Sequence, residues 1–273
     1  MKNSLGVVQG RLLPKYKGRY QAHPVGYWQQ EFSLAAELGL DCIEFILDFN
    51  DAEKNPLLTS QGCKEIKALS DRTGVKVLSV CADYFMVAPL HSENERVSER
   101  STKILRQLLN VASDFGIRDI IIPCVDHSSI KDQQLRERFQ EVLSGIVSLA
   151  ERCGVNLSLE TDLEPTQFNE LLSKLDSSRV TINYDIGNSA SLGYDPEDEL
   201  NSYSACISDI HIKDRTLGGG PVKLGTGNAD IPRFFKLLKR FDYRGPFIMQ
   251  AYRDDQGVSI FKEQLKWVKA YLE

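Results

Sequence analysis

The sequence predicts an α/β fold, a single (β/α)8 TIM barrel spanning residues 1–273. Three observations lead there. Short β-branched runs alternate with longer helical patterns from end to end, which implies parallel strands joined by crossover helices. Eight such strand–helix units fit into 273 residues, about 34 residues apiece, the usual size in a barrel. No G-x-G-x-x-G follows the first strand and no Walker pattern occurs, so the main signatures of a nucleotide-binding doubly wound sheet are missing.

The elements follow in order. Leu5–Gln9 reads as the first strand, with Arg11 behind it in a loop bearing Pro and Tyr. Apolar residues recur at helical spacing from Gly26 to Leu38, and Gly39 stops that helix. Asp41–Leu47 is the second strand and contains Glu44; Thr59–Thr73 is a helix closed by Gly74. Val75–Ala82 is the third strand and ends in Asp83. Ser92-Glu-Asn-Glu95 has capping-box spacing and opens a long helix that ends at Gly116. Asp119–Cys124, a fourth strand, leads to Asp126 and His127, and Gln133–Cys153 is again helical. Val155–Leu159 ends in Glu160, and Pro165 suits the first turn of a helix to Leu175. Strand six ends in Asp185 and strand seven carries His211, with a short helix, Pro196–Tyr203, between them. A helix over Ile231–Phe241, a strand over Pro246–Met249 and a helix over Val258–Tyr271 complete the series.

Composition narrows the class. The chain is 42% hydrophobic and 26% charged, with a net charge of −5, an ordinary globular profile that argues against gripping nucleic acid. No apolar stretch approaches the roughly 20 residues that span a bilayer. Gln9 and Arg11 interrupt any signal-peptide core. The six cysteines lack C-x-x-C spacing and read as reduced, which suits the cytoplasm. A homo-oligomer stays open, with a small molecule as the expected partner.

Chemistry in such barrels sits at the C-terminal ends of the strands. The last four strands end in Glu160, Asp185, His211 and Gln250. Any one of these has an ordinary reading as a cap or a buried hydrogen-bonder. Together, three oxygen donors and an imidazole suit one divalent ion, Mn²⁺ or Mg²⁺ first, with Co²⁺ or Zn²⁺ as alternatives.

Leu-Glu160-Thr, Tyr-Asp185-Ile-Gly-Asn188, His211-Ile-Lys213-Asp214, Leu224-Gly-Thr-Gly227 with Asp230, and Gly245-Pro-Phe-Ile-Met-Gln250 together resemble the xylose-isomerase-like barrels. Within these, the chain is most similar to 3-epimerases of ketopentose 5-phosphates. The resemblance covers the whole chain and implies a metal-dependent isomerase or epimerase of a ketose or ketose phosphate, working through an enediolate. Glu160, Asp185 and His211 then fall on three of four metal ligands. The fourth position departs, because the family's second acid/base glutamate is Gln250 here, and an amide cannot return a proton at neutral pH. The catalytic pair is therefore Glu160 and Gln250 by position, with Asp214, Lys213, His127 or Asp83 as substitute bases. Lys213 is expected to hold a substrate hydroxyl or phosphate, Glu44 to orient a ligand, and Arg253 to add charge for a phosphate. Asn188 matches the ketopentose-phosphate branch, while Arg11 and His91 are lesser candidates. The glycine-rich stretch 218–227 offers backbone N–H groups for phosphate, or a lid. The alternatives are a dehydratase acting on a polyhydroxylated ring and a sugar-binding barrel without turnover. The family's DNA-repair endonucleases need many histidines, and this chain has four.

Overall fold

The computed structural model describes residues 3–255 and 257–272, so residues 1, 2, 256 and 273 of the expected 1–273 barrel lie outside the described residues. Eight strands, β1 (Leu5–Val8), β2 (Cys42–Ile46), β3 (Lys76–Cys81), β4 (Asp119–Cys124), β5 (Asn156–Thr161), β6 (Val180–Asp185), β7 (Ile207–Ile212) and β8 (Phe247–Met249), pair in parallel and close, with β8 beside β1. The main outer helices are α1 (Gln30–Glu37), α2 (Ser60–Thr73), a one-turn α3 (Tyr84–Val87), α4 (Glu95–Phe115), α5 (Gln133–Cys153) and α6 (Pro165–Leu175). After them come α7 (Ile186–Leu192), α8 (Pro196–Tyr203), α9 (Ile231–Leu238) and α10 (Ser259–Leu272).

Local chemistry sets the helix ends. Thr59 accepts from Gly62 N at the start of α2, and Gly74 closes it with φ 77°, a left-handed conformation that glycine adopts without steric cost. Asp132 caps α5 through the N–H groups of Gln134 and Leu135. The expected capping box at Ser92 is replaced by Asn94, which accepts from Arg96 N, while Ser92 Oγ accepts from Asn94 N. The helix expected from Gly26 begins only at Gln30, and the one expected to reach Phe241 stops at Leu238. Three pieces carried no sequence signal: α3, α7 and a hairpin that pairs Asp214–Arg215 with Pro221–Val222.

The strands are buried on both faces, which is why they read as near-continuous apolar runs. Between sheet and helices lies one large apolar cluster that includes Phe32, Phe45, Leu105, Phe139, Ile146 and Phe261. Inside the barrel is a second, small one: Val8, Cys42, Ile46, Cys81, Ile121 and Ile248. The interior is narrow, since a Cβ on Gly6 would lie 2.4 Å from Cys42 Sγ. Its remaining inward positions are polar and buried: Glu44, Ser79, Asp119, Ser158, Thr181, Ser208, Asp209 and His211. The six cysteines are unpaired, four of them buried. Among the described residues no helix is long and apolar enough to cross a membrane.

Candidate active site

Glu160 lies in β5, Asp185 ends β6 and His211 lies in β7, with Asp185 and His211 in direct register. All three are buried, and one ligating atom from each falls within 4.8 Å of the others. The two imidazole nitrogens face different ways. His211 Nδ1 is 3.9 Å from Asp185 Oδ2, whereas Nε2 is 2.9 Å from Glu44 Oε1. Ser79 Oγ donates to the other Glu44 oxygen at 2.8 Å. Nδ1 thus faces the carboxylates of the site, and Nε2 faces the Glu44 carboxylate. Asp185 divides its oxygens too: Oδ1 accepts from Asn188 N at 2.8 Å and caps α7, and Oδ2 faces the imidazole.

Amide and cationic groups surround these carboxylates. Asn183 Nδ2 lies 3.4 Å from Glu160 Oε2 and 3.2 Å from His211 Nδ1. Asn188 Nδ2 donates to Glu160 Oε1, and its own oxygen accepts from Lys213 Nζ at 3.0 Å and Arg215 Nη1 at 2.8 Å. Lys213 Nζ also donates to Asp185 Oδ2 at 3.2 Å. Gly187 permits this packing, because a Cβ there would lie 2.8 Å from Lys213 Cγ. Burial, reinforced by Asp185, pushes Glu160 up to about 7, a value suited to proton transfer near neutral pH. Burial works against a charged His211, but Glu44, Glu160 and Asp209 together more than offset it and lift the imidazole to about 10.

The opposite arc is built differently. Gln250 follows β8, and its backbone N–H donates to Ile212 O at 3.0 Å. Its side-chain Nε2 donates to Gln21 Oε1 at 2.9 Å, and its Oε1 is buried with no hydrogen-bond partner among the described residues. Gln21 in turn accepts from Arg11 Nη2 at 3.1 Å and donates to Asp83 Oδ2 at 3.2 Å. Arg253 Nη1 donates to the Arg11 carbonyl, and its guanidinium sits 4.4 Å over the Tyr20 ring.

Some expected site residues are placed elsewhere. Asp214 is buried, and its carboxylate accepts the N–H groups of Gly225, Gly227 and Ala229 at 2.9, 2.9 and 3.0 Å. It clamps the loop after β7, so it is no substitute base. The N–H groups of Gly225 and Gly227 are thereby spent, and those of Gly218 and Gly219 go to the carbonyls of Ser191 and Thr216. His127 is exposed in the turn after β4, without a hydrogen bond among the described residues. His91 is buried with its ring 5.8 Å from that of Phe139. Asp83 is held by Gln21 and by Cys81 Sγ. Glu44 lies where a residue orienting a ligand is expected, 2.9 Å from His211 Nε2. Asn183, Gln21 and Arg215 were not anticipated. Asn183 was within reach, since a strand residue two before Asp185 shares its face.

Two carboxylates and an imidazole within 4.8 Å of one another fit a divalent cation, with the orphaned Gln250 oxygen at the end of the neighbouring strand as a fourth candidate. The fold and this arrangement define a class, and the sequence agrees. The chain matches the model of the Xylose isomerase-like TIM barrel family over residues 32–271, and it belongs to that family. It is similar to L-ribulose-5-phosphate 3-epimerase UlaE of Escherichia coli, 30% identical over 264 residues that cover 92% of each chain. Among solved structures it is similar to the 3-keto-D-glucoside 4-epimerase YcjR of E. coli. That match has TM-score 0.76 and 17% identity, covering 98% of this chain and 100% of that one. A xylose isomerase-like barrel protein from Mycobacterium smegmatis, solved in complex with magnesium, has TM-score 0.71 and 18% identity, covering 99% and 96%.

Proposed function

We propose that the protein is a single-domain, divalent-metal-dependent isomerase or epimerase of a ketose or ketose phosphate. That it is an enzyme of the sugar isomerase and epimerase kind follows from its family and from curated relatives named as epimerases. The observation that carries the finer reading is the buried convergence of Glu160, Asp185 and His211 from three consecutive strands. Glu160, Asp185, His211 Nδ1 and Gln250 Oε1 would hold the ion, Mn²⁺ first, with Mg²⁺, Co²⁺ or Zn²⁺ as alternatives. When bound, it supplies positive charge where the substrate's oxygens become anionic.

The protein's own groups do the rest. Glu160 removes the proton from the carbon beside the carbonyl and returns it. Asn183 and Asn188 fix its two oxygens. Lys213 offers a positive charge at the mouth, balanced by Asp185. Gln250 binds through oxygen and moves no proton, so delivery to the opposite face falls to another group. The unpaired cysteines support a reducing compartment, the cytoplasm.

Incubation with Mn²⁺ in D₂O across a panel of ketoses and ketose phosphates tests the reading. Deuterium is expected next to the carbonyl of one class of sugar, whichever product follows. Absence of exchange from every sugar, with metal bound, would remove the enzymatic proposal.

A further inference from the structure

The cations at the mouth fall into two kinds. Lys213 and Arg215 are already engaged, with Asp185, Asn188 and the Gly219 carbonyl. Arg11 and Arg253 are not engaged in that way. No carboxylate oxygen of the described residues comes within 4.0 Å of the Arg11 guanidinium. The Nε atoms of both arginines are shut from solvent and have no hydrogen-bond partner among the described residues. Arg253 is buried, and its Nη1 goes to a neutral carbonyl, that of Arg11 itself. The two guanidinium charges are near enough to oppose each other. Burial first, and Arg253 second, lower Arg11 to about 10. A buried and a half-buried cation held together against their repulsion, each with a buried Nε left over, are what an anion would relieve.

Their position relates them to the chemistry. Arg11 follows β1 and Arg253 follows β8, neighbours in the barrel. Arg11 and Gln250 donate to the same Gln21 oxygen, so the pair adjoins the last of the four candidate donors. Resting on the reading of the mouth as a ketose site, we propose that Arg11 and Arg253 form an anion subsite that takes the phosphate monoester of the substrate. Two positive groups match a dianion, whereas a carboxylate would leave one of them uncompensated. Arg253 is also steadied over Tyr20, which fixes its planar fork before anything binds. Sugars without the acidic group would bind at the metal side alone.

Equilibrium binding tests this with three probes: L-ribulose 5-phosphate, L-ribulose and inorganic phosphate. Arg11→Met and Arg253→Met are each expected to weaken the phosphorylated sugar roughly tenfold or more. Affinity for L-ribulose should move by less than about twofold, because no charged contact is lost there. Inorganic phosphate should compete with the phosphorylated sugar in the wild type and not in the variants. Arg11→Lys and Arg253→Lys keep the charge but lose the fork, and they should recover part of the loss. They also serve if a methionine variant melts early. Equal weakening of both sugars would make the arginines structural, and no weakening of either would also overturn the subsite. A wild type that prefers a ketose carboxylate to L-ribulose 5-phosphate would overturn the phosphate assignment. Deuterium exchange is scored separately. Exchange on every sugar without phosphate discrimination sinks the subsite alone, and discrimination without exchange sinks the enzymatic reading alone.

Discussion

Across the mouth, the arc built by β5, β6 and β7 holds its groups through contacts between neighbouring strands. The arc where β8 meets β1 holds them through loops that close over most of the chain's length. In the first, Asp185 and His211 are paired in register and Asn183 bridges Glu160 to the imidazole. In the second, Gln250 reaches Gln21 across 229 residues of sequence and Arg253 reaches the Arg11 carbonyl across 242. The first arc carries the carboxylate cluster with amides, Lys213 and Arg215 around it, and the second carries amides, Asp83 and two guanidinium groups without carboxylate partners among the described residues. Strand register leaves little freedom to change a donor set, whereas loop-borne groups can be exchanged without disturbing the sheet. The difference places the acidic cluster on the strand-borne side and the unengaged guanidinium groups on the loop-borne side.

The largest effect should come from breaking the strand-borne arc. His211→Ala removes the only nitrogen of the cluster and leaves Glu44 without its partner. The purified variant is expected to hold no metal in elemental analysis, and to show no deuterium exchange. Full metal content in that variant would take His211 out of the site.

Gln250→Glu sharpens the comparison from the other side. It adds a group able to carry a proton, and a positioned acid or base is worth roughly 10²–10⁴-fold in rate. Metal content should stay the same while epimerisation of a ketose substrate rises. The new carboxylate would lie beside Arg11, which shares Gln21 with residue 250. Unchanged epimerisation would show that another residue already returns the proton or that the reaction uses one base.

The loop-borne arc also has a pH-sensitive anchor. Glu31, fully buried in α1, accepts from Gly10 N at 2.8 and 2.9 Å and from Leu12 N at 3.0 Å, gripping both sides of Arg11. Burial pushes its carboxyl from an ordinary value near 4.5 up to about 7. The folded value lies above the unfolded one, so this group's contribution is whole below about pH 4.5. It is lost as the pH rises through about 7. Wild type should therefore lose up to about 3 kcal/mol relative to Glu31→Gln between pH 4.5 and 7.5 in urea unfolding. Parallel pH profiles for the two proteins would mean that Glu31 titrates normally.

The two arcs also differ in how much of them could be read from sequence. Strand alternation and terminal glycines placed α2, α5, α6 and all eight barrel strands within a residue or two. Glu160, Asp185 and His211 were legible because each ends or nearly ends a β-branched run. The seven-residue α7 was not, since it starts directly after β6 with Asp185 as its cap and is too short to show a period. Asp214 was legible as a residue and misread in role. Backbone groups 11, 13 and 15 residues away in the chain fill its carboxylate, and only the folded loop reveals that. Gln21 lies in a loop without periodicity and acquires meaning only through Gln250.

Glu44 connects the metal side to the barrel interior and offers the finest test. Glu44→Gln keeps an oxygen for His211 Nε2–H, and its new amide can donate to Ser79 Oγ, so geometry is largely preserved while the negative charge is removed. Outer partners of metal-bound histidines are typically worth 10–100-fold in metal affinity. The glutamine variant should fall near the lower end of that range, and Glu44→Ala, which also loses the contact with the imidazole and the Ser79 hydrogen bond, near the upper end. Both should discriminate phosphorylated from unphosphorylated sugar as the wild type does, because Arg11 and Arg253 are untouched. Metal affinity unchanged in both variants would make Glu44 a packing residue and leave Asp185 and Asn183 to orient the imidazole. A loss of phosphate discrimination in either variant would show that the two arcs are energetically coupled, so that register on one side also sets loop geometry on the other.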